Sequence, residues 1–299
     1  MSDRLHGCLP IVLTPFDEGG AIDVASLVSE VEFLIESGVH GLATPAIASE
    51  GYKLSDEERM LVSRTVVETT AGRVPVVVSA DGAGTDLAKM RARSAAALGA
   101  DALMVLPPSF VKPDTMGLEQ YYVQVAEAGG LPIMVQDAPQ LTGVTITVDN
   151  LMRINTAAPL VSSVKLEGLP AGQKTTDVLQ RMGGRMDVFA GWGGLGFWEG
   201  LNRGAIGCMP AANLGPALAG VYESYRDGHL AQGAAAFDRL VPFMAWSMQS
   251  IDLGIWCGKE LLRRKGVITH AVMREPATLP DPVMRAEFER LVTACGAAL

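Results

Sequence analysis

The chain has 299 residues, enough for one large α/β domain or two small ones. Apolar residues make up 48% and charged residues 19%, a balance that excludes a disordered chain. With 24 Lys and Arg against 33 Asp and Glu the formal net charge is −9, and the one short basic run is Arg263-Arg264-Lys265, so neither nucleic acid nor an anionic membrane is expected as a partner.

In chain order, short and mostly apolar runs predict strands at 8–13, 40–44, 74–79, 102–106, 133–136, 160–165, 187–190 and 205–209. Continuous apolar strands of this kind suit a parallel sheet covered on both faces. Amphipathic stretches alternate with them. Residues 23–37 come first, and Ser55-Asp56-Glu57-Glu58 forms a capping box ahead of 60–70. Further helices are predicted at 85–98 (capped by Thr85 or Asp86), 115–128, 148–155, 171–182, 194–202 and 214–225. Eight β/α units without a break in composition point to a (β/α)8 barrel over residues 1–227. A doubly wound open sheet is the alternative, disfavoured because it leaves two edges to protect. Residues 228–299 carry no strand pattern and predict a C-terminal helical extension with helices at 229–251, 253–265 and 281–295.

No window of about 18 uncharged apolar residues occurs, so no membrane span is expected. The opening Met1–His6 lacks the apolar core of a secretory leader. The cysteines Cys8, Cys208, Cys257 and Cys295 form no CxxC pair, and His6, His40, His229 and His270 lack metal-ligand spacing. Buried thiols, a reducing cytoplasm and no metal are the expectation.

In a parallel barrel the chemistry sits at the C-terminal ends of the strands. Lys165 is the one lysine inside a predicted buried strand. It is either a strand-end lysine whose ammonium reaches solvent or a Schiff-base lysine made nucleophilic by apolar surroundings. Glu167 lies two residues on, so the strand period aims it to the same side, as an ion-pair partner or an acid/base. Gly191-Trp192-Gly193-Gly194-Leu195-Gly196 matches GxGxxG formally but lacks an acid about 20 residues downstream, so a crowded β/α loop is favoured over a dinucleotide site. The small residues of Thr44–Gly51 offer backbone N–H groups to a carboxylate, or form a plain turn.

The order of these pieces resembles the dihydrodipicolinate synthase/N-acetylneuraminate lyase family. The matching segments are Leu13-Thr14-Pro15-Phe16, Ser49-Glu50, Leu54–Arg59, Leu98-Gly99-Ala100-Asp101-Ala102, Pro107-Pro108, Pro139, Thr142-Gly143, Val164-Lys165, Gly191 and Gly204-Ala205-Ile206-Gly207. The resemblance implies a tetrameric cytoplasmic enzyme whose Lys165 forms an imine with a 2-oxo acid without any cofactor. It implies substrate contacts from Ala48, Ser49, Gly191 and Met209. The departures are specific. Gln136 stands where the family carries a proton-shuttling Tyr, Leu141 where the synthase has Arg, and Ser109-Phe110 where a Tyr pair is common. These changes argue against the synthase itself and against a standard sialate lyase. They resemble the branch that dehydrates 2-keto-3-deoxy sugar acids such as 2-keto-3-deoxy-L-arabonate. On that reading Lys165, Glu167 and Gln136 are catalytic, with Glu167 the proton carrier. A pyruvate-dependent aldolase and a non-catalytic barrel that binds 2-oxo acids are the alternatives.

Overall fold

The computed structural model describes residues 5–299; Met1–Arg4, the start of the segment read above for a leader, lie outside the described residues. In chain order the elements are β1 (Gly7–Cys8), α1 (Val24–Glu36), β2 (Leu42–Thr44), α2 (Asp56–Thr70), β3 (Val76–Ser79), α3 (Thr85–Leu98), β4 (Ala102–Val105) and α4 (Thr115–Gly129). There follow β5 (Ile133–Asp137), α5 (Pro139–Thr142), α6 (Val148–Ala157), β6 (Val161–Leu166), α7 (Ala171–Met182), β7 (Asp187–Ala190), α8 (Phe197–Arg203) and β8 (Gly207–Cys208). Four helices close the chain: α9 (Gly215–Arg226), α10 (Leu230–Ser247), α11 (Ile251–Arg264) and α12 (Pro282–Cys295). The strand order is β1-β8-β7-β6-β5-β4-β3-β2 in one eight-stranded sheet. This is the (β/α)8 barrel with a C-terminal helical extension that the sequence predicts.

The chain divides into two compact units. One runs to Val74 and adds Gly193–Leu195 and Met209–Leu299; the other comprises Pro75–Trp192 and Gly196–Cys208. In the first, Ile11 bridges in parallel to both Ala43 and Ala211, and the side chains of Leu9, Leu13, Phe16, Leu27 and Leu34 are fully buried. The second carries consecutive parallel pairings from β3 to β8. Its strand residues Val77, Leu103, Met104, Val105, Ile133, Val135, Val164 and Phe189 have no solvent exposure. Burying such a side chain stabilises the fold by about 1.5–3 kcal/mol, which is why near-continuous apolar runs settle here.

Local signals behave as their chemistry requires. The predicted capping box at α2 is present, with Ser55 Oγ accepting from Glu58 N–H and Glu58 accepting from Ser55 N–H. At α3 the N-cap is Gly84 rather than Thr85 or Asp86. All four cysteines are buried. Among the described residues no helix is long and apolar enough to cross a membrane.

Candidate active site

Lys165 is the fifth residue of β6 and lies in register with Gln136 of β5 on one side and Phe189 of β7 on the other. Parallel pairing places residues of equal register side by side, so the Gln136 and Lys165 side chains rise from neighbouring strands. Lys165 is 5% exposed and Gln136 1%. Glu167 is the first residue past β6. Its backbone is fixed from both sides: its N–H donates to the Asp137 carbonyl at 2.9 Å, and its own carbonyl accepts from Gln140 Nε2 at 2.8 Å.

The three side chains meet at one oxygen. Glu167 Oε1 lies 3.1 Å from Lys165 Nζ and accepts from Gln136 Nε2 at 2.6 Å. The carboxylate therefore compensates the buried ammonium, and the same contact gives the lysine proton a direct route off the nitrogen. Gln136 Oε1 is buried and has no hydrogen-bond partner among the described residues. Gly191 closes the group. Its N–H donates to Leu166 O at 2.8 Å, and a Cβ there would lie 2.3 Å from Glu167 Cγ.

Behind this group stands a second ion pair, which the sequence reading missed. Asp137 is fully buried, and Lys174 Nζ of α7 donates to its Oδ2 at 2.5 Å and to Ile146 O at 2.5 Å. Burial raises the Asp137 carboxyl above the usual carboxylate range, and Lys174 opposes that shift. The phenols of this unit are engaged elsewhere. Tyr121 Oη donates to Leu106 O at 3.2 Å and Tyr122 Oη to Val105 O at 3.1 Å. Burial pushes both phenols above their ordinary range, so neither is suited to carry protons near neutral pH.

Lys165, Glu167, Gln136 and Gly191 are thus brought together in the second unit. Ala48, Ser49 and Met209 belong to the first. Ser49 has no solvent exposure; its Oγ donates to Val12 O at 2.5 Å and accepts from Ala46 N–H at 3.1 Å. In its own unit the hydroxyl holds the turn after β2 against the β1 segment. Met209 is 1% exposed.

Fold and site together describe the lyases that work through a Schiff base on a (β/α)8 barrel. The chain matches the dihydrodipicolinate synthetase family over residues 4–295 and belongs to that family. It is 32% identical over 293 residues to an L-2-keto-3-deoxyarabonate dehydratase of Azospirillum brasilense, covering 95% of this chain and 93% of the relative. It is 29% identical to a 4-hydroxy-tetrahydrodipicolinate synthase of Rhizobium meliloti, covering 98% and 97%. Among solved structures, dihydrodipicolinate synthase of Rhodopseudomonas palustris superposes with a TM-score of 0.89 at 25% identity, covering 97% of each chain. Members of this family are lyases of the class I, Schiff-base type.

Proposed function

We propose that this family member dehydrates a 2-keto-3-deoxy sugar acid through an imine on Lys165. The observation that carries the reading is the single carboxylate oxygen of Glu167, 3.1 Å from Lys165 Nζ and held there by Gln136. A base beside the imine nitrogen is within reach of the carbon next to the imine, which is where dehydration begins. The similarity to a keto-deoxyarabonate dehydratase supports the same reading.

Lys165 passes its proton to Glu167 and adds to the C2 ketone; Glu167 returns that proton to the resulting C2 hydroxyl, which leaves as water, giving a protonated imine beside a carboxylate ready to act as base. That cation draws electrons from C3 and acidifies its hydrogens. Glu167 removes one, giving an enamine. The enamine expels the C4 hydroxyl, which leaves as water with the proton returned by Glu167. Hydrolysis frees Lys165 and an unsaturated 2-oxo acid, which tautomerises to a semialdehyde. Gln136 donates to Glu167 throughout and holds its carboxylate against the nitrogen. The Tyr found here in other branches would bring a phenol to the same place; an amide cannot relay a proton in its stead, so Glu167 serves both steps.

Borohydride reduction in the presence of pyruvate, followed by mass spectrometry, tests the imine. An adduct at Lys165 is expected, and its absence with several 2-oxo acids overturns the mechanism. Lys165→Ala should abolish both adduct and turnover while the circular dichroism spectrum is unchanged. Glu167→Gln should lower kcat by about 10²–10⁴-fold, the range for loss of a general acid/base, and leave the adduct in place. Product analysis fixes the reaction. A semialdehyde from a 2-keto-3-deoxy acid is expected, whereas free pyruvate would replace dehydration with aldol cleavage.

A further inference from the structure

The last residue of β5, the whole of α5 and the irregular residues up to Ile146 form one loop, 137–146, beside the Lys165 group. Three contacts press this loop against Glu167, which lies just past the end of β6. The Asp137 carbonyl accepts from Glu167 N–H at 2.9 Å, and Gln140 Nε2 of α5 donates to Glu167 O at 2.8 Å. Pro139 packs on the next residue, where a Cβ on Gly168 would lie 3.0 Å from Pro139 Cγ. Both peptide groups that flank the Glu167 side chain are therefore held by the loop.

Lys174 joins the two ends of that loop. From α7 its Nζ donates to Asp137 Oδ2 at the start and to Ile146 O at the finish, each at 2.5 Å. Strand alternation explains the meeting: Gln136 faces Lys165, so Asp137 turns to the other side of the sheet, where α7 lies. Asp137 and Ile146 have no solvent exposure, and the Ile146 N–H adds to Lys174 in favouring the charged carboxylate. Charge-assisted bonds of this kind are about twice as strong as neutral ones. Within the loop, Thr142 Oγ1 donates to Ala138 O at 3.1 Å and Gly143 N–H to Pro139 O at 2.8 Å, bonds that shape α5 without closing the neck.

We propose that Lys174 is a positioning residue for the dehydration: by closing the neck of loop 137–146 it fixes the Glu167 backbone, and through it the carboxylate, against Lys165 Nζ. The inference rests on Glu167 as the proton carrier. In that role Glu167 takes protons from nitrogen and carbon and returns them to oxygen. Its reach must come from side-chain torsions on a fixed backbone, since a misplacement of about 1 Å costs about 10²-fold. Lys174 itself moves no proton.

Removing Lys174 alone would orphan a buried carboxylate, so the test replaces the pair by an apolar one, Asp137→Leu with Lys174→Met, an exchange that buried ion pairs often tolerate. The full chain so changed should melt with the native protein, form the pyruvate adduct at Lys165, keep its KM and lose about ten- to a hundredfold in kcat. Lys174→Arg, which keeps a cation with several donors, should retain most of the rate. In a Glu167→Gln background the double replacement should cost little more. Hydrogen exchange followed by mass spectrometry reads the loop without any chemistry. The peptide containing Glu167 and Gly168 should exchange faster in the double variant and at the native rate in Lys174→Arg. Native kcat in the double variant, a loss that adds in full to that of Glu167→Gln, or a loss of rate with exchange unchanged would each overturn the proposal. If Glu167→Gln itself proves fully active, the proton-carrier reading has failed, and unchanged exchange would then show separately that Lys174 does not hold the loop.

Discussion

At position 191 even a methyl group would collide, lying 2.3 Å from Glu167 Cγ and 2.9 Å from Leu166 O. The backbone at Gly191 needs no left-handed freedom, so the requirement is space for the glutamate. On the proposed mechanism Gly191 is a positioning residue that acts through Glu167. Displacing a catalytic group by about 1 Å costs about 10²-fold, which is the fall in kcat expected for Gly191→Ala. The adduct at Lys165 should persist, and in a Glu167→Ala background the same change should have little further effect. Full additivity of the two losses would instead assign Gly191 a role of its own. Residue by residue, the sequence is uneven about this site. Lys165 stands out because a lysine inside an apolar strand run needs a reason, and Glu167 follows from the two-residue period. Gln136 is invisible without the family, since a glutamine ending a strand is ordinary. The Asp137–Lys174 pair joins residues 37 apart on a strand and a helix, and no local pattern encodes such a meeting.

Among the elements, long amphipathic helices and valine-rich strands are the legible part, because periodicity and burial act on many residues at once. Their ends are set by single residues. The first predicted strand, 8–13, contains Pro10, which has no N–H to give, and its ladder shrinks to Gly7–Cys8 with a separate bridge at Ile11. The last, 205–209, meets Pro210 and keeps only Gly207–Cys208. The helix predicted from 194 waits until Phe197, because Trp192, Gly193 and Gly194 all adopt positive φ. Helix α1 holds a pH-sensitive group on its buried stripe. Glu30 Oε1 accepts from Leu13 N–H at 2.6 Å, Oε2 is buried with no partner among the described residues, and burial pushes the carboxyl from 4.5 up to about 8. An acid with a raised folded pKa holds its proton more tightly in the native state than in the unfolded one. Its contribution is therefore complete below pH 4.5 and is lost as pH rises towards about 8. Glu30→Gln keeps the acceptor for Leu13 and removes the titration. Urea midpoints across that window should show the native protein losing stability relative to the variant, by on the order of a few kcal/mol at the alkaline end. Parallel profiles would show that Glu30 does not titrate there.

For the whole molecule, the composition predicts a folded α/β protein, and the β/α count predicts the barrel. What composition cannot announce is a second lysine, on α11, buried more deeply than Lys165. Lys259 has no solvent exposure; its Nζ donates to Glu50 Oε1 at 2.5 Å and to Val272 O at 2.7 Å, and lies 4.3 Å from the centre of the Phe16 ring. Desolvation lowers its pKa while Glu50 opposes the shift. Glu50 is itself held in a left-handed backbone conformation, and its Oε2 accepts from Lys53 Nζ and Arg274 N–H, each at 3.0 Å. Removing one partner of a buried pair costs about 3–5 kcal/mol, so Lys259→Met should lower the melting temperature markedly. A melting curve superimposed on the native one would reduce the pair to a bystander.

That pair spans 209 positions of chain. A ribosome therefore delivers the carboxylate long before the ammonium that will neutralise it. The first unit is assembled from both ends of the polypeptide, whereas most of the second is one uninterrupted stretch. Lys53 lies only three residues from Glu50 and supplies one cation locally, whereas Glu50 Oε1 meets its partner only once α11 has been made.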